Sequence, residues 1–216
     1  MTTFATPRHT YLDDVRADLG GAFAGACVFA GWLVVGIVVG SDAVVRYAAS
    51  VPLLIWAVVV ANHHIGFSRG VLWGFVAWEF VHMAGGLIPV GHDHILYNAE
   101  WGIPLVRWDR LVHAFGFGLA AAASWQGIRL VLPAGHGVTP GIALLAALCG
   151  LGFGALIEVL EFLMTLLVPT NVGDYADTGW DLVFDLIGAG AVAAWLARRR
   201  RPLGPRRPVR MLRKPR

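Results

Sequence analysis

Charge is scarce in this chain: Asp, Glu, Lys and Arg make up 14% of 216 residues, hydrophobic residues 57%, and the mean hydropathy is +0.64. Soluble domains carry about 25% charged residues, so an ordinary water-facing surface is excluded for most of the chain and a membrane protein is implied. Cysteine is nearly absent. Cys27 and Cys149 lie in separate apolar runs with no C-x-x-C spacing, which excludes a disulfide framework and a zinc knuckle and leaves them as packing residues. Neither a P-loop nor an H-E-x-x-H pair is present, so nucleotide-driven and zincin schemes lack their residues.

What is present is a series of six apolar runs, near 20–40, 45–62, 71–90, 108–132, 142–168 and 179–197. Each is roughly the twenty residues that cross a hydrocarbon core about 30 Å thick. The fold expected is all-α, a polytopic membrane protein with six transmembrane helices. It has a segment 1–19, a membrane domain 20–197 and a basic tail 198–216. Polar, Pro- and Gly-rich joins such as PAGHGVTPG and PTNVGDYADTG separate the runs.

The net charge of +3 hides an asymmetry, because ten of the 17 Lys and Arg lie in the tail, which contains no acid. The positive-inside rule places that tail in the cytoplasm, and six spans return the N-terminus there too. Loops 91–107 and 169–179 then face outward, with His92, Asp93, His94, Asn98, Asn171, Asp174 and Asp177 among their polar residues. The tail reads as a topology signal with anionic lipid within its reach; no nucleic-acid partner is expected.

Within the apolar runs a set of ionisable residues recurs in a pattern. Glu79-x-x-His82 precedes Trp108-Asp109-x-x-x-His113-x-x-Gly116-x-Gly118, and Glu158-x-x-Glu161 precedes Trp180-Asp181-x-x-x-Asp185-x-x-Gly188-x-Gly190. Spacings of three and four put each pair on one helical face. The C-terminal halves of odd spans and the N-terminal halves of even spans lie on one side of the membrane, so these residues are expected to share a layer and face a common cavity open to the outside. Asp109 and Asp181 are expected at its rim. Two parallel hairpins, about 71–132 and 142–197, would each supply half of the site. Interfacial Trp, capping Asp and small residues at helix contacts are also common in membranes without any repeat.

Charge at mid-bilayer costs at least about 2.5–3.5 kcal/mol on insertion scales, so the layer needs protons, a cation or a cationic substrate; Arg107 and Arg110 are near enough to contribute. The carboxylates Glu79, Asp109, Glu158, Glu161, Asp181 and Asp185 with the imidazoles His82 and His113 suit a hard or borderline divalent metal. Among them Glu158, Asp185 and His113 are the candidate catalytic residues. A structural hydrogen-bonded network is the bland alternative for the same residues.

The segment from Trp78 to about Ala194, with WDRLVHAFGFG, LIEVLEF and GDYADTGWDLVFDLIGAG, resembles the uncharacterised bacterial inner-membrane family typified by YjdF, and more distantly VanZ-like proteins. The resemblance implies a multi-span envelope protein of the inner membrane and no particular reaction.

Three functions are compatible with this reading: a metal-dependent hydrolase or transferase acting on a lipid or lipid-linked envelope substrate, a proton- or cation-coupled carrier, and a non-catalytic envelope or resistance factor. Polarity massed toward one face favours the first. The topology predicts that cysteines placed at Asn98 and Asn171 react with an impermeant maleimide in intact cells. Labelling seen only after permeabilisation would invert the assignment.

Overall fold

The computed structural model describes residues 11–91, 94–100, 105–133, 136–167 and 173–199, with side chains described from Gly20 onward. His92, Asp93, Asn171 and the tail beyond Arg199 lie outside those residues. Six α-helices account for most of what is described: α1 Tyr11–Val38, α2 Ala43–Ile65, α3 Arg69–Leu87, α4 Trp108–Ile128, α5 Pro140–Thr165 and α6 Tyr175–Arg198. This is an all-α integral membrane protein. By length and composition α2, α5, α6 and the Gly20–Val38 part of α1 are apolar enough to cross a membrane. The helices follow the apolar runs closely, except that α1 begins well before its run.

Local chemistry sets the helix starts. Ser68 caps α3 by accepting from the Val71 N–H, and Thr139 caps α5 by accepting from Ile142, with Pro140 in the first turn where its missing N–H costs nothing. At α6 the cap is Asp174, whose carboxylate accepts from the N–H groups of Ala176 and Asp177 at 2.9 and 3.1 Å. Asp181 therefore lies well inside its helix and serves no capping role. Between α3 and α4 the chain forms a small element that the hydropathy pattern does not announce. Strands β1, Pro89–Val90, and β2, His94–Ile95, pair antiparallel and lead into a 3-10 turn at Leu96–Asn98.

Helices α4, α5 and α6 each pack on the other two, α3 packs on α4 and α1, and α2 packs mainly on α1. The central trio approaches closely because its contact positions are small. A Cβ on Gly118 would lie 3.0 Å from the Gly188 carbonyl oxygen, one on Gly150 would lie 2.6 Å from that of Phe117, and one on Gly188 would overlap the Ala114 carbonyl. Ala121, Ala146 and Ala189 are fully buried beside these contacts. In lipid, where hydrocarbon outside is as apolar as hydrocarbon inside, such backbone proximity supplies the packing energy. Two indoles clamp α3 to α4: Trp78 Nε1 donates to the Val112 carbonyl at 3.2 Å, and Trp108 Nε1 donates to the Val81 carbonyl at 2.9 Å.

Gly188→Leu is expected to destabilise the protein by about 3 kcal/mol, the upper end of overpacking costs, because the obstacle is backbone. Gly190 meets nothing within 4 Å, so Gly190→Ala should be neutral or stabilising by up to about 1 kcal/mol. Thermal unfolding in detergent distinguishes them; equal losses would mean that the α4–α6 crossing lies elsewhere.

Candidate functional site

His113 is the centre of the polar end of the trio. Its Nδ1 lies 3.0 Å from an oxygen of Asp185, a carboxylate with no exposed surface. An ionised Asp185 can only accept, so the Nδ1 carries the proton, and in the neutral imidazole the Nε2 keeps its lone pair. That Nε2 comes within 3.9 Å of Glu158 and 4.0 Å of Asp109. Donor atoms of Asp109, His113 and Asp181 all fall within 4.8 Å of one another. The arrangement of carboxylate, imidazole and further acids is the one by which proteins orient a metal-ligating histidine.

Glycine again makes the geometry possible. A Cβ at Gly154 would overlap the Asp185 carboxylate, so α5 presents bare backbone where α6 brings its acid. Together Gly150 and Gly154 form a small-x-x-x-small stripe, the first against α4 and the second against Asp185. One oxygen each of Glu158, Asp181 and Asp185 is buried with no hydrogen-bond partner among the described residues. Unpaired buried carboxylate oxygens are costly, and here three of them gather around one imidazole. Glu158 also meets the Thr178 side chain, while Glu161, half-buried, lies within electrostatic range of Glu158, His113 and Asp109.

An ionic strap lies over this end. Asp177 meets Arg107 at 3.2 Å and Arg110 at 3.5 Å, and Arg107 also reaches Glu100 at 3.9 Å. Arg110 is buried, donates to the Leu105 carbonyl and stacks over Trp180 at 5.4 Å from the ring centroid. The two arginines thus pair with Asp177 and Glu100 above the cluster, and of the cluster's acids it is Asp109 that they bring within electrostatic range.

The predicted residues do not all meet. Asp109, His113, Glu158, Asp181 and Asp185 form the cluster, and Glu161 flanks it. Asp181, 4% exposed, is interior rather than at the rim. Glu79 turns away, into a separate cleft among α1, α2 and α3, where an extra Cβ at Gly25 would lie 3.1 Å from its Oε2. His82 is held in an aromatic setting: its ring stacks on Trp78 at 4.7 Å, and its Nδ1 meets the Tyr97 hydroxyl. Tyr97 and Tyr47 also donate to the His82 carbonyl, at 2.8 and 3.3 Å, both seated where Gly85 and Gly86 leave room. Burial pushes the Tyr97 hydroxyl well above its usual range, so it stays a donor. Gly116 likewise makes room for the Trp78 indole.

One serine motif needs to be separated from the site. Gly66-Phe67-Ser68-Arg69-Gly70 spells G-x-S-x-G, yet Ser68 is the cap of α3 and receives a hydrogen bond from Gln126 at 2.9 Å. It sits at the start of α3, about three helical turns before Glu79, and is no nucleophile elbow.

The family described as "Predicted membrane protein (DUF2238)" matches residues 20–202. The chain belongs to that family. It is the family to which the sequence resemblance pointed, and the match takes in α1 from residue 20, all of α2 to α6 and every member of the cluster. No curated protein matches the chain, and no solved structure does. The more distant VanZ similarity has no counterpart in these comparisons.

The cluster predicts unequal costs for its acids. Asp185→Ala strands the His113 donor in a dry interior and should destabilise by about 2–3 kcal/mol. Asp109→Ala, at a position whose side chain is 29% exposed, should cost under about 1 kcal/mol. Chemical denaturation in mild detergent reads both, and a reversed order would remove Asp185 from the centre of the site.

Proposed function

We propose that the His113 cluster binds a divalent cation and serves a hydrolase or transferase acting on a lipid or lipid-linked envelope substrate. The observation that carries this reading is the Asp185–His113 pair, which leaves an imidazole lone pair facing Asp109, Asp181 and Glu158, two of whose carboxylates carry unpaired buried oxygens. One nitrogen and several carboxylate oxygens suit a hard or borderline ion. Such an ion supplies Lewis acidity and positive charge when bound. In this reading His113, Asp109 and Asp181 hold it, Asp185 orients the imidazole, and Glu158 accepts a proton from the attacking water or hydroxyl.

The site belongs, in the same reading, to a six-span protein of the bacterial inner membrane. Helices α3 and α4 have 19 and 21 residues, about 28 and 31 Å at 1.5 Å per residue, long enough to cross even with their polar residues. The basic tail supports cytoplasmic termini and an outward-facing site. The duplicated motif supports two diverged hairpin copies: Asp109 and Asp181 occupy equivalent positions and meet, as do His113 and Asp185. The remaining equivalences are broken, with Glu158 in the cluster and Glu79 in a different cleft. Below the site the buried alanines and the Gly118–Gly188 contact leave no polar route across the trio among the described residues. That favours a one-sided site over a carrier, which needs access from both faces.

Elemental analysis of detergent-purified protein tests the reading. Wild type is expected to hold about one divalent ion per chain, His113→Ala and Asp181→Ala to lose it, and Glu79→Ala to keep it. Wild-type protein purified without chelator and free of metal, and unable to take up manganese or zinc on dialysis, would sink the proposal.

A further inference from the structure

A second cleft lies apart from the His113 cluster. Helix α1 contributes Gly21, Ala22 and Gly25, α2 an apolar face from Val51 to Val59 with Asn62 below it, and α3 Leu72, Phe75, Val76, Trp78, Glu79 and His82. Its volume is about 190 Å³. Drug-sized pockets run from about 300 Å³ upward, so this space takes one slender chain and excludes a two-chain lipid. Glu79 stands in it, 7% exposed, with its Oε1 lacking any partner among the described residues.

The cleft has a definite polarity. Its lining carries one carboxylate, one amide and one imidazole, and no arginine or lysine. Asn62 already accepts from the Phe67 N–H at 2.8 Å, and the Nδ1 of His82 is engaged by Tyr97. The lining's one carboxylate, Glu79, buried and with an oxygen lacking a partner among the described residues, is therefore the acceptor, with the Asn62 N–H groups left as neutral donors. A phosphate or carboxylate headgroup would find no cation here and a repelling acid instead. Glu79 also falls near the middle of α3, a depth at which a zwitterionic phospholipid headgroup would have to leave the interface, at a heavy desolvation cost. A single ammonium on a hydrocarbon tail meets each condition. The tail lies along the apolar walls, and the N–H groups satisfy the carboxylate.

We propose that this cleft is a binding site for a lipophilic amine, with Glu79 as its counter-ion. The site is independent of the His113 cluster, since the two use different helices and no shared ligand. It also gives Glu79 a role where the metal reading leaves it none.

The test measures equilibrium binding of radiolabelled dodecylamine to the full chain in dodecylmaltoside micelles, with protein-free micelles subtracted. Saturable binding is expected, weakened at least tenfold in Glu79→Gln and in Ala22→Phe, which fills the cleft while keeping the acid. Both variants should elute and show helical circular dichroism as wild type does. Unlabelled dodecanol and phosphatidylethanolamine should fail to compete. Undiminished binding in Glu79→Gln would overturn the proposal, as would equal competition by dodecanol, which would make the cleft an apolar gap. Equal competition by phosphatidylethanolamine would overturn the choice of a free amine. Because His113→Ala is expected to bind dodecylamine normally, failure here leaves the metal experiment to stand on its own result.

Discussion

Burying the Asp185 carboxylate completely requires a donor for one of its oxygens and room for the other, and the two needs organise the polar end of the molecule. His113 gives the donor and Gly154 gives the room. With Nδ1 committed, the imidazole has one orientation and one tautomer, so the position of its Nε2 is decided before any ligand arrives. The acids around that nitrogen come from α4, α5 and α6. Their convergence rests on the short distances that Gly118, Gly150 and Gly188 permit. Packing deep in the trio and electrostatics at its end are one problem solved by the same small residues.

Much of this was legible in the sequence. Six apolar runs became six helices, and the i,i+4 pairs Asp109/His113 and Asp181/Asp185 do converge, because residues four apart on a helix share a face whatever surrounds it. What periodicity does not state is which neighbour that face meets. Glu79 and His82 satisfy the same spacing rule as Glu158 and Glu161, yet α3 turns Glu79 toward α1 and lodges His82 among Trp78, Tyr97 and Tyr47. The only hint was Gly85-Gly86, a pair of missing side chains into which two tyrosines reach. The depth of Asp181 was also hidden, since an aspartate near a helix start reads as a cap until the true cap, Asp174, is seen.

The two similar motifs meet where they lie on α4 and α6, whereas their ionisable pairs on α3 and α5 do not. Residues at matching positions of the two motifs meet across the α4–α6 contact, where one motif carries a base and the other an acid, so that His113 and Asp185 complement each other. Two identical acids there would have left the interior with a repulsion and no donor. Around the partner helices no such constraint operated: α5 packs on both α4 and α6, while α3 packs on α4 and α1. Two similar stretches of sequence thus end in unlike surroundings because their helices pack differently.

The crossed indole bonds between α3 and α4 also bear on how anything reaches the interior. Each tryptophan is rooted in one helix and tethered to the backbone of the other, so sliding or splaying that pair breaks two hydrogen bonds at once, with no water at hand to replace them. The pair behaves as a single stiff beam. The carboxyl end of α5 carries no such rivet among the described residues; its Glu161 is half-buried, and Phe162, Leu163 and Met164 beyond it lie exposed to the surroundings. A guest arriving sideways from the hydrocarbon therefore meets exposed apolar side chains at the end of α5 and a braced pair at α3 and α4.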